Sequence, residues 1–125
     1  MITEKRKLGD IGEEAAVKYL KKLGYRILDR NYCQKWGEID IVAKFKKDIV
    51  FVEVKSKGKD SKFLPAQNVN YFKQQRLIRA AQTWLAENKI SEETPWQIDA
   101  LIVELDFDKK IAKVEHLRNA VWNKC

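Results

Sequence analysis

Two cysteines, two prolines, five glycines and one histidine are all that these 125 residues contain of those types. Each scarcity excludes something. Cys33 and Cys125 fit no CxxC or Cys/His metal spacing, which removes the common zinc sites, and a disulfide is not expected in a reducing compartment. Sparse Gly and Pro alongside 45% hydrophobic residues exclude collagen-like repeats and intrinsic disorder. No apolar run reaches the roughly 18 residues of a membrane span, and the segment from Met1 to Lys7 lacks a signal-peptide core, so a cytoplasmic location is expected.

What remains is a chain long enough for one domain, expected over residues 1–125, with a core that needs no disulfide or structural metal. Lys and Arg total 25 against 18 Asp and Glu, a formal charge of +7. That surplus allows nucleic acid as a partner, although a merely solvated basic face carries the same charge.

Apolar residues Leu8, Ile11, Ala15, Ala16, Tyr19, Leu20 and Leu23 recur at three and four, predicting a helix from Thr3 to Leu23 that stops at Gly24. Strands are predicted at Tyr25 to Tyr32, Gly37 to Phe45 and Asp48 to Ser56, the last two joined as a hairpin through Lys46 and Lys47. A loop is expected over residues 56–68, then a second helix between Tyr71 and Asn88, with Asn68 or Asn70 as its cap. Strands at Ile98 to Leu105 and Ile111 to His116 follow, and Leu117 to Lys124 reads as a short terminal helix. The order α-β-β-β-α-β-β predicts an α/β sandwich with a central mixed sheet flanked by helices.

Strand alternation puts Phe51, Glu53 and Lys55 on one face. A hairpin turning at Lys46-Lys47 pairs residues whose numbers sum to 93, so Asp40 falls opposite Glu53, and Glu38 opposite Lys55. Two carboxylates that close repel unless a cation sits between them. Oxygen ligands without His or Cys select Mg²⁺ or Mn²⁺, beside which Lys55 would orient water or stabilise charge on a phosphate. The same residues also fit a cross-strand salt-bridge ladder, Glu38 with Lys55 and Glu53 with a neighbouring lysine. A third acid, Glu13, lies at the edge of the first helix's apolar stripe and points towards the sheet. Lys73 holds the equivalent place on the second helix, as a functional amine or a snorkelling one. Lys57, Lys59 and Lys62, with Lys73, Arg76 and Arg79, could track a phosphate backbone or form an ordinary charge run. His116 lacks a second His at ligand spacing and reads as a hydrogen-bonded or exposed strand-end residue; Trp84 reads as core, and Trp36 as a base-stacking or packing residue.

Asp40 within GEIDIVA (37–43) and Glu53 and Lys55 within FVEVK (51–55) resemble the D-(x)n-E-x-K signature of the PD-(D/E)xK nucleases, whose fold is restriction-endonuclease-like. With Gly9, Gly12-Glu13, Tyr19-Leu20, Gly24-Tyr25, Asn31, Val69-Asn70, Lys73, Arg76-Leu77, Trp84-Leu85, Asp99, His116 and Asn119-Ala120, nearly the whole chain resembles the bacterial YraN family. That family is grouped with endonuclease-like proteins near the archaeal Holliday-junction resolvases. The resemblance implies Asp40 and Glu53 as metal ligands, Lys55 as the catalytic lysine, and Glu13 as the helix-borne catalytic and metal-ligating acid. Lys57 stands where many relatives carry Arg, Gln97 where an Arg often precedes Asp99, and Val121 where an aromatic is usual.

The expected function is a Mg²⁺- or Mn²⁺-dependent endonuclease acting on branched or single-stranded DNA, with Lys57, Lys59, Lys73 and Arg76 contacting nucleic acid. The alternatives are a non-catalytic nucleic-acid-binding module of the same fold, and a scaffold whose basic face meets an acidic protein. A homodimer is compatible with symmetric cutting but is not predicted.

Overall fold

A computed structural model describes residues 4–59 and 71–121. Its elements are α1 (Glu4–Lys22), β1 (Arg26–Gln34), β2 (Gly37–Phe45), β3 (Asp48–Gly58), α2 (Tyr71–Glu87), β4 (Trp96–Asp106) and β5 (Ile111–Val121). The strands form one mixed sheet ordered β1-β2-β3-β4-β5, in which only β3 and β4 run parallel. A parallel neighbour requires a crossover, and α2 lies within that connection. This is the α-β-β-β-α-β-β sandwich expected from the sequence.

Each helix covers one sheet face. Ala16, Val17 and Leu20 of α1 pack with Ile41, Ala43, Val50, Val52, Leu101 and Val103. Leu77, Ile78, Ala81 and Trp84 of α2 pack with Ile39, Val42, Phe51 and Ile98. Burial on both faces explains why the central strands are apolar at nearly every position. Trp84 is core, its ring edge-on to Phe51 at 5.7 Å. A Cβ on Gly12 would stand 1.7 Å from Ser56 Oγ and 2.7 Å from Ser56 Cβ, so α1 meets β3 at van der Waals limits there.

Two expectations need correction. β3 continues past Ser56 through Gly58, placing Lys57 and Gly58 on the strand and not in a loop, because β4 supplies partners as far as Gly58↔Leu105. The segment Leu117–Val121 is strand, not helix: it pairs along β4 from Leu117↔Ala100 to Val121↔Ile98 around a bulge, with Asn119 at φ 51°. Thr3, Lys62, Asn68, Asn70 and the stretch 122–125 lie outside the described residues.

Candidate active site

The site forms where two antiparallel strands part. β2 and β3 pair in the expected register from Phe45↔Asp48 to Ile41↔Val52, and the ladder stops there, one pair short of Asp40 and Glu53. In place of a ladder carbonyl, Asp40 Oδ2 accepts the Val54 backbone N–H at 2.7 Å. The carboxylate is thereby fixed against β3, close to Glu53, without being a cross-strand pair. Burial, offset in part by that hydrogen bond and reinforced by Glu53, Glu13 and Glu38, pushes the Asp40 pKa up to about 6.

Lysines hold the second acid. Glu53 Oε1 lies 3.1 Å from Lys55 Nζ and 2.8 Å from Lys73 Nζ, so a strand and a helix each bring one ammonium to the same oxygen. Burial works against the charge on Lys55, and the hydrogen bond with Lys73, together with the carboxylates of Glu53 and Asp40, outweighs it and raises its pKa. Lys55 therefore meets Glu53 and not Glu38. Glu38 faces β1 opposite Cys33, whose thiol donates to its Oε2 at 3.6 Å.

Asp40, Glu53 and Lys55 line a cavity of about 510 Å³ together with Glu38 and Trp36, and with Lys73 and Arg76 from α2. Gly37 lies against Arg76, where an added Cβ would come within 3.3 Å of the arginine Cβ, pinning the β1–β2 turn to α2. Glu13 is near enough to raise the Asp40 pKa but is not among the lining residues. Its Oε1 is held by Arg30 at 3.2 and 3.3 Å, and the same guanidinium reaches Glu14 at 2.6 Å. Lys57 continues along β3 opposite Glu104, outside the cavity lining. Lys59 lies 3.7 Å from Asp106 and 3.9 Å from Asp108, at the far end of the sheet.

Sequence reasoning did not find Arg30, nor the network around Asp99. Asp99 is fully buried. Its carboxylate meets His116 Nε2 at 2.7 Å, Gln97 Nε2 at 2.7 Å and the Asn119 N–H at 2.8 Å, and the Tyr19 hydroxyl bonds His116 Nδ1 at 3.0 Å. Burial would raise the Asp99 pKa, but these donors reverse it and hold the carboxyl below its ordinary range. An aspartate inside the apolar run 98–105 was the available signal. Gln97 itself donates to this acid, and the hydrogen-bonded reading of His116 is the one observed.

Donor chemistry decides whether a metal suits the cavity. Asp40 accepts from Val54 through Oδ2, and Glu53 meets both lysines through Oε1. Two carboxylates with water completing the shell are a usual Mg²⁺ set. No cluster of three or more His, Cys, Asp or Glu able to hold an ion is present among the described residues.

The elements together define an α/β protein with a five-stranded mixed sheet in the order α-β-β-β-α-β-β. Residues 12–103 match the profile described as uncharacterised protein family UPF0102. The chain belongs to that family, which is the YraN family. A UPF0102 protein of Alkaliphilus oremlandii is 44% identical over 115 residues, covering 92% of this chain and 97% of the relative. One from Caldanaerobacter subterraneus subsp. tengcongensis is 39% identical over 117 residues, covering 93% and 95%. Among solved structures, an fdxN element excision controlling factor protein from Anabaena variabilis matches with TM-score 0.42 and 13% identity, over 86% of this chain and 98% of that one. No helix among the described residues is long and apolar enough to cross a membrane.

Proposed function

We propose that this protein binds nucleic acid and is a Mg²⁺- or Mn²⁺-dependent endonuclease hydrolysing phosphodiester bonds in branched or single-stranded DNA. The observation that carries the reading is the convergence of Asp40, Glu53, Lys55 and Lys73 at the mouth between β2 and β3, inside a cavity walled by Arg76. Asp40 and Glu53 are the residues that would hold the ion. A bound divalent ion supplies charge to polarise the phosphate and to lower the pKa of a water. Lys55, released from Glu53, orients the attacking water or stabilises charge on the phosphate. Lys73 and Arg76 neutralise the flanking backbone. Attack forms a phosphorus–oxygen bond from water, breaks the bond to one ester oxygen, and leaves that oxygen protonated.

A second reading has its own observation. Glu53 is already neutralised by two lysines and Glu13 by Arg30, as befits a non-catalytic nucleic-acid-binding module. One experiment separates the two: incubation of labelled single strand, duplex, flap and four-way junction with Mg²⁺, Mn²⁺ or EDTA, using the parent protein, Asp40→Ala and Lys55→Ala. Metal-dependent cleavage lost in both variants is expected. Salt-sensitive binding with no cleavage by the parent protein on any substrate would establish the binding module instead.

A further inference from the structure

We propose that Trp36 and Phe72 form a stacking subsite for an unpaired nucleobase beside the phosphate-handling residues. This inference rests on the nucleic-acid reading above and names its substrate class as DNA with bases free of a duplex stack. Both rings line the cavity that holds Asp40, Glu53 and Lys55. Neither belongs to the two hydrophobic cores. Phe72 is 70% exposed on the first turn of α2, next to Lys73 in sequence and one turn before Arg76. An exposed phenylalanine beside cavity-lining cations suits a ligand that alternates flat apolar faces with negative charges, as single-stranded nucleic acid does.

Trp36 lines the same cavity from the turn between β1 and β2. It sits in the tight turn joining β1 to β2, which Gly37 pins against α2. The Arg79 guanidinium lies 4.0 Å from its ring centroid, which fixes the indole plane by a cation–π contact and adds positive charge at the rim. The indole Nε1–H is buried with no acceptor among the described residues. A phenylalanine, though smaller, would strand no donor here, so tryptophan carries a hydrogen-bonding cost that phenylalanine would not. A cavity of about 510 Å³ also exceeds what an ion and its waters fill. Bases within an intact duplex present no open face to such walls, whereas an unpaired base does.

The test is equilibrium binding in EDTA, which suppresses cleavage, of a short labelled oligothymidylate, an abasic strand of equal length, and a duplex. The parent protein is expected to bind the base-bearing strand about tenfold more tightly than the abasic one. Phe72→Ala and Trp36→Ala should each reduce that ratio towards one and leave abasic-strand affinity in place, and Trp36→Phe should keep most of it. Phe72 is too exposed for its loss to unfold the chain, so that variant reads the subsite directly. Equal affinity of the parent protein for the two strands, or an unchanged ratio in both alanine variants, would overturn the stacking subsite and leave phosphate binding standing. No binding to any strand at low salt would overturn the nucleic-acid reading itself, and the subsite with it.

Discussion

Asp40 Oδ2 takes the backbone N–H of Val54 at 2.7 Å, at the point where the β2–β3 ladder ends. One carboxylate thus does two things: it satisfies an amide that the parting strands would strand, and it holds a negative charge in a mostly buried place. The second of these sets a pH dependence.

In the folded protein Asp40 keeps its proton up to about pH 6, whereas unfolded it releases the proton near its ordinary value of 3.8. The folded state therefore binds more protons between these limits, and its stability falls as pH rises through the window, by about 3 kcal/mol in all. Asp40→Asn retains an acceptor for Val54 and has no charge to bury. In EDTA, thermal unfolding should show this variant several degrees above the parent at about pH 7.5, and level with it at about pH 4. Equal unfolding temperatures at both pH values would show that burial does not penalise this carboxylate.

The Gly12–Ser56 contact predicts a coupling between helix and strand. Alanine favours a helix over glycine by about 1 kcal/mol, yet here its Cβ would meet Ser56 Cβ at 2.7 Å, and no rotation of the serine side chain moves that atom. Gly12→Ala should destabilise the protein by about 1–3 kcal/mol, as overpacked cores do. Ser56→Gly should recover most of that loss in the double variant. Denaturant titration of the four proteins in a mutant cycle measures the coupling, and additive effects would show that α1 shifts freely over β3.

How much of this was legible in sequence follows from how local each feature is. The hairpin register was readable because the turn at Lys46-Lys47 and the alternating faces both specify it, and the observed pairs from Phe45↔Asp48 to Ile41↔Val52 obey it. Where the strands part, the rule stops, because parting depends on the sheet as a whole. The Glu13–Arg30 pair joins α1 to β1, and Lys59 finds Asp106 at the end of β4 and Asp108 just after it; neither spacing is periodic in the chain. Leu117–Val121 resembled a helix because a bulge at Asn119 breaks the alternation by which a strand is recognised. The cluster of Asp40, Glu53, Lys55 and Lys73 was readable because three of the four lie on one hairpin and the fourth on the edge of an amphipathic stripe.

The buried Asp99 yields the last prediction. Its carboxyl is held below the ordinary range by His116, Asn119 and Gln97, so the stabilisation is complete above about pH 4 and is lost as pH falls through the depressed value. Asp99→Ala leaves the Asn119 N–H, the Gln97 amide and His116 without their shared acceptor, and should cost about 3 kcal/mol or more, since each buried group left unpaired costs about 1–3 kcal/mol. Tyr19→Phe removes only the outer hydrogen bond, to His116 Nδ1, and should cost about 1 kcal/mol. Because none of these side chains lines the cavity of Asp40 and Glu53, Tyr19→Phe should leave oligonucleotide affinity where it was. Urea titrations from neutral pH to about pH 3, paired with binding at neutral pH, check both halves. A Tyr19→Phe protein that is fully stable but has lost affinity would show that the Asp99 network reaches the site and is not simply part of the core.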